Sequence, residues 1–238
     1  MRRFYTPKEN FQADKAILNL DETRHLRDVL RLREGAEICV FDGEGREFLG
    51  AVEKISKSET LLKIIREITP SALESSLDLT LAIALLKGEK FDLVVQKSVE
   101  LGVNRIIPLN TKRADVKLTD GEKKLERWRK IALEAAKQSG RAKLMRIESP
   151  VDFEKFIEAA NGTRILFAER NGKNFSVIEK TENIVAVVGA EGGWEDSEIE
   201  AAREKGFRIV TLKGRILRAE TAAIAIVAVL QHRFGDLN

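Results

Sequence analysis

Apolar positions along this 238-residue chain follow one pattern before residue 70 and another after it. In the first seventy residues, Glu37–Phe41 (EICVF), Phe48–Val52 and Thr60–Ile68 form short apolar or alternating runs that predict strands. The turn Asp42-Gly43-Glu44-Gly45 separates the first two. Leu26, Val29, Leu30 and Leu32 recur at helical spacing and Gly35 stops them, which predicts one helix among the strands. A small β-barrel with one helix is the expected result. Residues 69–76 (TPSALESS) have linker composition, so the expected domains are 1–70 and 71–238.

Beyond the linker, strand-like runs alternate with helical ones. The strands are expected at Leu77–Leu86, Arg105–Leu109, Lys143–Ile147, Arg164–Ala168, Ile184–Val188 and Phe207–Leu212. Helices are expected at Phe91–Leu101, Gly121–Ser139, Phe153–Ala160, Asp196–Lys205 and Ala219–Phe234. Apolar strands separated by amphipathic helices predict a parallel sheet covered on both faces. The last helix is apolar nearly all round (AAIAIVAVL), so it must be buried in the core or against another subunit.

Composition narrows the setting. The start of the chain has no apolar stretch of a secretory signal, and the longest apolar run, Ala222–Leu230, is far short of the roughly 20 residues that span a bilayer. The single Cys39 sits in an apolar run and reads as a buried thiol. A cytoplasmic protein is expected, without membrane attachment. His25 and His232 have no partners at ligand spacing, so no metal is expected. The net charge of +3 is unevenly spread: residues 86–150 hold 16 basic and 9 acidic side chains, so that segment carries all the positive excess. A polyanion-binding face needs such an excess, and a solvated Lys-rich helix accounts for it equally well.

Two segments carry candidate chemistry. In Val187-Val188-Gly189-Ala190-Glu191-Gly192-Gly193-Trp194-Glu195-Asp196 a strand gives way to a glycine-rich turn and then to a helix start. Glycines let the backbone approach a ligand that a Cβ would exclude, and strand carboxyl ends are where open α/β sheets bind ligands. The turn is neither a Walker loop nor G-x-G-x-x-G. Its acids, Glu195 and Asp196, would repel a phosphate, so a ligand other than a polyphosphate is expected. About twenty residues on, Leu212-Lys213-Gly214-Arg215-Ile216-Leu217-Arg218 repeats the pattern. Ile216 and Leu217 could wall an adenine. Arg218, ahead of an apolar helix, either meets an anion or polarised oxygen or pairs with Glu220. A third segment, the basic helix, carries Lys123, Arg127, Lys130 and Lys137 and ends in Gln138-Ser139-Gly140-Arg141. Lys123, Lys130 and Lys137 repeat every seven residues, an outward cationic stripe suited to RNA phosphates. Trp128 sits among its inward positions and is read as core.

GAEGGWEDSEIEAAREKGF followed by LKGRILRAETAAIAIVAVLQ closely resembles the C-terminal motifs of RsmE-type 16S rRNA (uracil-N3)-methyltransferases of the SPOUT superfamily. The likeness extends upstream through LLKGEKFDLVVQKSVELGVNRIIPL and AAKQSGR. It departs at Ala190, where the family usually has Pro, at Lys137, often Glu, and at Ala219, often Thr. The resemblance implies an α/β SPOUT domain with a trefoil knot, preceded by a small PUA-like β-barrel that binds RNA. It also implies a homodimer that binds S-adenosylmethionine and 16S rRNA, the latter within the small ribosomal subunit. The implied cofactor residues are Ala168, Gly189, Glu191, Gly192, Gly193, Leu212, Gly214, Ile216, Leu217 and Thr221. RNA contacts are expected from Lys123, Arg127, Lys130, Lys137 and Arg141. Arg218 is the candidate for stabilising charge on the uracil, and Glu191 for a place near the sulfonium or an orienting role in the loop. The general base stays unassigned. Another RNA base as target, or a non-catalytic assembly factor, are the alternatives.

Overall fold

The computed structural model describes residues 2–118, 121–170, 172–179 and 181–237. It separates into two compact units, Met1–Glu74 with Leu133–Leu144, and Ser75–Ala132 with Met145–Asn238. The sequence places all of 71–238 in the second domain; in the structure, residues 133–144 cluster with the first.

The first unit is a six-stranded, mostly antiparallel half-barrel. Its strands are β1 (Arg3–Tyr5), β2 (Phe11–Gln12), β3 (Lys15–Leu18), β4 (Glu37–Phe41), β5 (Glu47–Ile55) and β6 (Thr60–Ile68), in the order β1-β4-β5-β6-β3-β2. Only the β1–β4 pair is parallel among these. Phe4, Leu18, Ile38, Val40, Val52 and Leu62 fill its core together with Leu26. Leu26 comes from the wider, π-type turn His25–Val29 that directly follows α1 (Leu20–Arg24). Asn19 caps α1, its side chain accepting the Glu22 N–H at 3.0 Å. The predicted helix therefore exists, but it starts six residues earlier than the apolar spacing from Leu26 suggests.

The second unit is an eight-stranded sheet in which every pair is parallel. Its strands are β7 (Asp78–Ala84), β8 (Arg105–Asn110), β9 (Arg146–Ile147), β10 (Val151–Asp152), β11 (Thr163–Phe167), β12 (Lys173–Asn174), β13 (Asn183–Val188) and β14 (Arg208–Thr211). They lie in the order β10-β8-β7-β13-β11-β14-β12, with β9 also on β8. The helices are α2 (Lys90–Glu100), α3 (Glu122–Ser139), α4 (Phe153–Ala159), α5 (Asp196–Glu204) and α6 (Ala219–Phe234). The predicted strand Lys143–Ile147 shrinks to the two residues of β9. Leu144 instead donates its N–H to the Gly43 carbonyl at 2.9 Å, within the first unit. Central strands β7 and β13 are buried along nearly their whole length, as continuous apolar runs demand in a sheet covered on both faces. No helix among the described residues is long and apolar enough to cross a membrane.

Candidate active site

A sheet whose strands all run one way gathers their carboxyl ends on one edge. Here β13, β11 and β14 are neighbours, so the segments that follow them meet there. Ala168 extends β11 by one rung, its N–H donating to the Val210 carbonyl at 2.9 Å. Residues 189–193 leave β13, and residues 212–218 leave β14. The two loops singled out in the sequence thus leave the strands on either side of β11, whose own end carries Ala168.

The first loop is held by Trp194. Its indole is 1% exposed, packs on Phe153 at 5.0 Å between ring centroids, and donates Nε1–H to the Phe167 carbonyl at 2.9 Å. Gly189 lies against that indole, where a Cβ would come within 3.0 Å of ring atoms. The Gly193 N–H donates to the Ala190 carbonyl at 3.0 Å and closes the turn. Gly193 has φ +70°, and a Cβ there would lie 2.5 Å from Glu169 Oε1. The backbone therefore favours glycine at 193, whereas the exposed Glu169 side chain can swing aside. Gly192 has no positive φ; what crowds it is Arg113, whose Cβ and carbonyl oxygen would each be 3.1 Å from an added Cβ.

Helix α5 closes its own N-terminus. Glu195 and Glu198 form a reciprocal capping box, with the Glu195 N–H donating to Glu198 Oε2 at 2.9 Å. Glu198 is 2% exposed and also accepts the Lys112 N–H at 2.9 Å. Arg113 pairs with Glu195 at 3.1 Å and donates to the Gly192 carbonyl at 3.3 Å. With carboxylates already on these amides, a phosphate would meet repulsion rather than free N–H groups. The site suits a ligand that brings no polyphosphate.

Glu191 turns toward α2, where Lys90 Nζ lies 2.9 Å from its Oε1. Burial pushes the Glu191 carboxyl up, but the Lys90 hydrogen bond, backbone N–H groups and the Lys90 charge together hold it below its ordinary value. The Lys90 pair ties Glu191, and with it the loop, to the start of α2. Lys90 is raised by that hydrogen bond and also feels Glu220 and Arg218. The second loop is open: Gly214 has φ +115° with nothing within 4 Å of an added Cβ, and Ile216 is 92% exposed. Leu217 is 38% exposed, and Leu212 is half-buried at the loop's base. Arg218 opens α6 in extended backbone, its carbonyl accepting the Ala222 N–H at 2.8 Å, while its exposed side chain makes no hydrogen bond or ion pair among the described residues. Its expected alternative partner, Glu220, is left with a buried Oε2 that bonds nothing. Thr221 follows, exposed on the first turn.

The family described as RNA methyltransferase domain matches residues 73–231, and the RNA methyltransferase PUA domain matches residues 18–65. Ribosomal RNA small subunit methyltransferase E of Mesomycoplasma hyopneumoniae is 35% identical over 95% of this chain and 97% of its own length. The chain belongs to the ribosomal RNA small subunit methyltransferase E family. Two solved structures agree with that placement. The family's Neisseria gonorrhoeae protein, bound to S-adenosyl methionine, superposes with a TM-score of 0.92 at 34% identity, covering 100% of both chains. A methyltransferase from Legionella pneumophila in complex with SAM gives 0.91 at 33% identity, covering 99% of this chain and 98% of the other.

The structure divides the residues expected to contact RNA into buried and exposed ones. Lys137 is largely buried in an ion pair with Glu22, whose side chain is 5% exposed. The Arg141 side chain is 4% exposed and pairs with Glu74 at 2.6 Å. Both serve the first unit's interior, where Arg3 also donates to the carbonyls of Ala136, Lys137 and Arg141 at 2.9–3.1 Å. Arg127 is taken by Asp92 at 2.6 Å, and Asp92 accepts Trp128 Nε1–H at 3.0 Å as well. Seven-residue spacing aligned the lysines, but long-range acids turned one of them inward. Lys123 and Lys130 remain exposed. Trp128 is 3% exposed against Phe91, in the core as expected.

Three residues that touch the first loop were not singled out from the sequence: Lys90, Arg113 and Glu169. Arg113 follows the carboxyl end of β8 and Glu169 that of β11, positions that mark candidates in a parallel sheet. Lys90 stands one residue before the apolar Phe91, among the basic residues of KGEK, a weaker signal.

Proposed function

We propose that this chain methylates N3 of a uridine near the decoding site of 16S rRNA, using S-adenosylmethionine, as a cytoplasmic homodimer acting on the small ribosomal subunit. Family membership makes it an rRNA methyltransferase; the base, the position and the assembly are the proposal. The cofactor supplies an activated methyl group for in-line displacement, so the protein's work is largely positioning.

The residues present fit such a cofactor. Gly214 leaves open space, Ile216 and Leu217 offer exposed apolar surface for an adenine, and the glycines of the Gly189–Gly193 turn keep its backbone free of side chains of its own where Trp194, Arg113 and Glu169 crowd it. Lys90 anchors Glu191 and so fixes that turn. The observation that carries the reading is Arg218, an exposed guanidinium without an internal partner at the rim of both loops. There it can hold negative charge on the uracil carbonyl oxygens as N3 gives up its proton. After β14, on the far side of β11, the chain returns through α6 to α2 and β13. That return supports the trefoil threading. On α6, part-exposed Ala222, Ala225 and Ala228 join Val229, 38% exposed, in an uncovered apolar strip that supports the homodimer.

Arg218→Ala tests the reading. Single-turnover methylation at saturating RNA and cofactor should slow by about a hundredfold to a thousandfold with affinities intact. Lys should rescue poorly, since an ammonium lacks the planar fork. A wild-type rate, or failure through weak binding alone, would remove Arg218 from the chemistry. Mass mapping of rRNA nucleosides from a strain lacking the protein reads the target base.

A further inference from the structure

In the first unit, α1 and its π-type extension end at Arg31, which has φ +53°. The Leu30 N–H donates back to the His25 carbonyl at 2.9 Å and the Leu32 N–H to the Leu26 carbonyl at 3.0 Å, so Arg31 occupies the left-handed residue that terminates the helix. Helices usually place glycine there, because it adopts that conformation without strain. Among the described residues, only Ala13 and Arg31 hold a positive φ without being glycine. Leu26, Leu30 and Leu32 sit in or against the core, which fixes the segment and thrusts the residues between them outward.

Those outward residues are cationic. Arg24, Arg31 and Arg33 are exposed, with His25 beside Arg24, and Val29 is 66% exposed among them. Arg27 Nη1 donates to the Ser56 carbonyl at 3.1 Å and holds the next turn alongside, which adds exposed Lys57. The nearby acids are mostly engaged. Arg27 binds Asp28 at 2.7 and 2.8 Å, Glu22 faces Lys137, and Glu34 accepts the Ile55 N–H at 3.2 Å. Asp21 and Glu59 stay exposed. Arg31, Arg33 and Lys57 have no ion-pair partner among the described residues, and Arg24 forms no salt bridge but shares the charge of Asp28 with Arg27.

We propose that this lip, Arg24 to Arg33 with Lys57, grips the phosphodiester backbone of the RNA substrate. Guanidinium forks match phosphate oxygens, and a row of them orients a strand without reading its sequence. A strained arginine where glycine would be cheaper marks a side chain kept for contact. The inference rests on the reading of RNA as substrate, and it moves the expected phosphate contacts from Lys137 and Arg141 to this segment.

The test uses the full-length protein and a 16S rRNA transcript, with binding titrated against salt. Arg24→Gln, Arg31→Gln and Arg33→Gln together should flatten the log–log salt slope by about two units, since each lost phosphate contact removes roughly 0.7 to 0.9. Calorimetric affinity for S-adenosylmethionine should not change. Arg31→Gly separates contact from folding. It keeps the backbone conformation, so the melting temperature should hold, while the slope falls by about one contact; Arg31→Lys should retain it. Tight RNA binding with a wild-type slope in the triple variant would overturn the lip alone, leaving a solvated face or a site for an acidic protein. Absence of RNA binding by the wild-type protein would overturn both the substrate reading and the lip.

Discussion

Lys137→Gln distinguishes an internal tie from an RNA contact. Lys137 and Glu22 have side chains 13% and 5% exposed, and Glu22 also accepts the Tyr5 N–H at 3.4 Å. Removing one partner of a buried pair typically costs about 3–5 kcal/mol. Lys137 is not fully buried, it also pairs with exposed Glu134 at 2.9 Å, and Glu22 can take up a proton, so about 2–3 kcal/mol is expected at pH 8. Both tryptophans, Trp128 and Trp194, lie in the second unit and will not report this loss. Hydrogen exchange of the β1 and β4 amides will, and should quicken roughly 30- to 150-fold. The pH dependence has a definite sign. Burial already pushes the Glu22 carboxyl up, against the charge and hydrogen bond of Lys137, which pull it down. Without Lys137 it rises further. A carboxyl whose folded value exceeds its unfolded one favours the fold below the unfolded value and loses that contribution as pH climbs through the folded one. The deficit of the variant should therefore be large at pH 8 and shrink toward pH 4.5. Glu22→Leu combined with Lys137→Met should recover most of it. Wild-type exchange in Lys137→Gln, together with a flatter RNA salt slope, would refute the buried pair and restore Lys137 to the nucleic-acid face.

Other perturbations probe the second unit. Gly193→Val places a β-branched residue at φ +70° and a Cβ against Glu169, so calorimetry should find S-adenosylmethionine bound at least about tenfold more weakly by a folded protein; unchanged affinity would move the cofactor elsewhere. Trp194→Phe leaves the Phe167 carbonyl without its donor and should lower stability by about 1–3 kcal/mol, read as a lower urea midpoint from the remaining Trp128. An unchanged midpoint would show that the indole N–H does not hold the loop. Val229→Glu should give a monomer by sedimentation velocity with lost methylation, whereas an intact dimer would place the subunit contact away from α6.

Much of the architecture was legible because long elements carry strong periods. Strands β4 to β8, β11, β13 and β14 and helices α2 to α6 stand close to the runs that predicted them. Strands β9, β10 and β12 have two residues each, too few for any period, and β1 to β3 are nearly as short. The loops of the site were visible because glycine clusters after apolar runs mark strand ends. Which glycine holds a left-handed backbone was not visible: Gly192 and Gly193 look alike in sequence, and only the structure gives Gly193 its φ of +70° and Gly192 the crowding of Arg113. The burial of Lys137 escaped for a related reason. Glu22 lies 115 positions from Lys137, and no local pattern reports a partner that distant.

The first unit is written in two separate stretches of chain, and that orders its assembly. Residues through Glu74 can form the strands of the half-barrel, but Glu22, Glu47 and Glu74 look inward to Lys137, Arg3 and Arg141, and two of those three cations arrive only with residues 133–144. On the ribosome, the half-barrel must wait with two acids unmatched while β7, α2, β8 and most of α3 are made. A fragment cut at the linker would be left in the same incomplete state, so the first unit, though first in sequence, finishes folding only after more than half the chain exists.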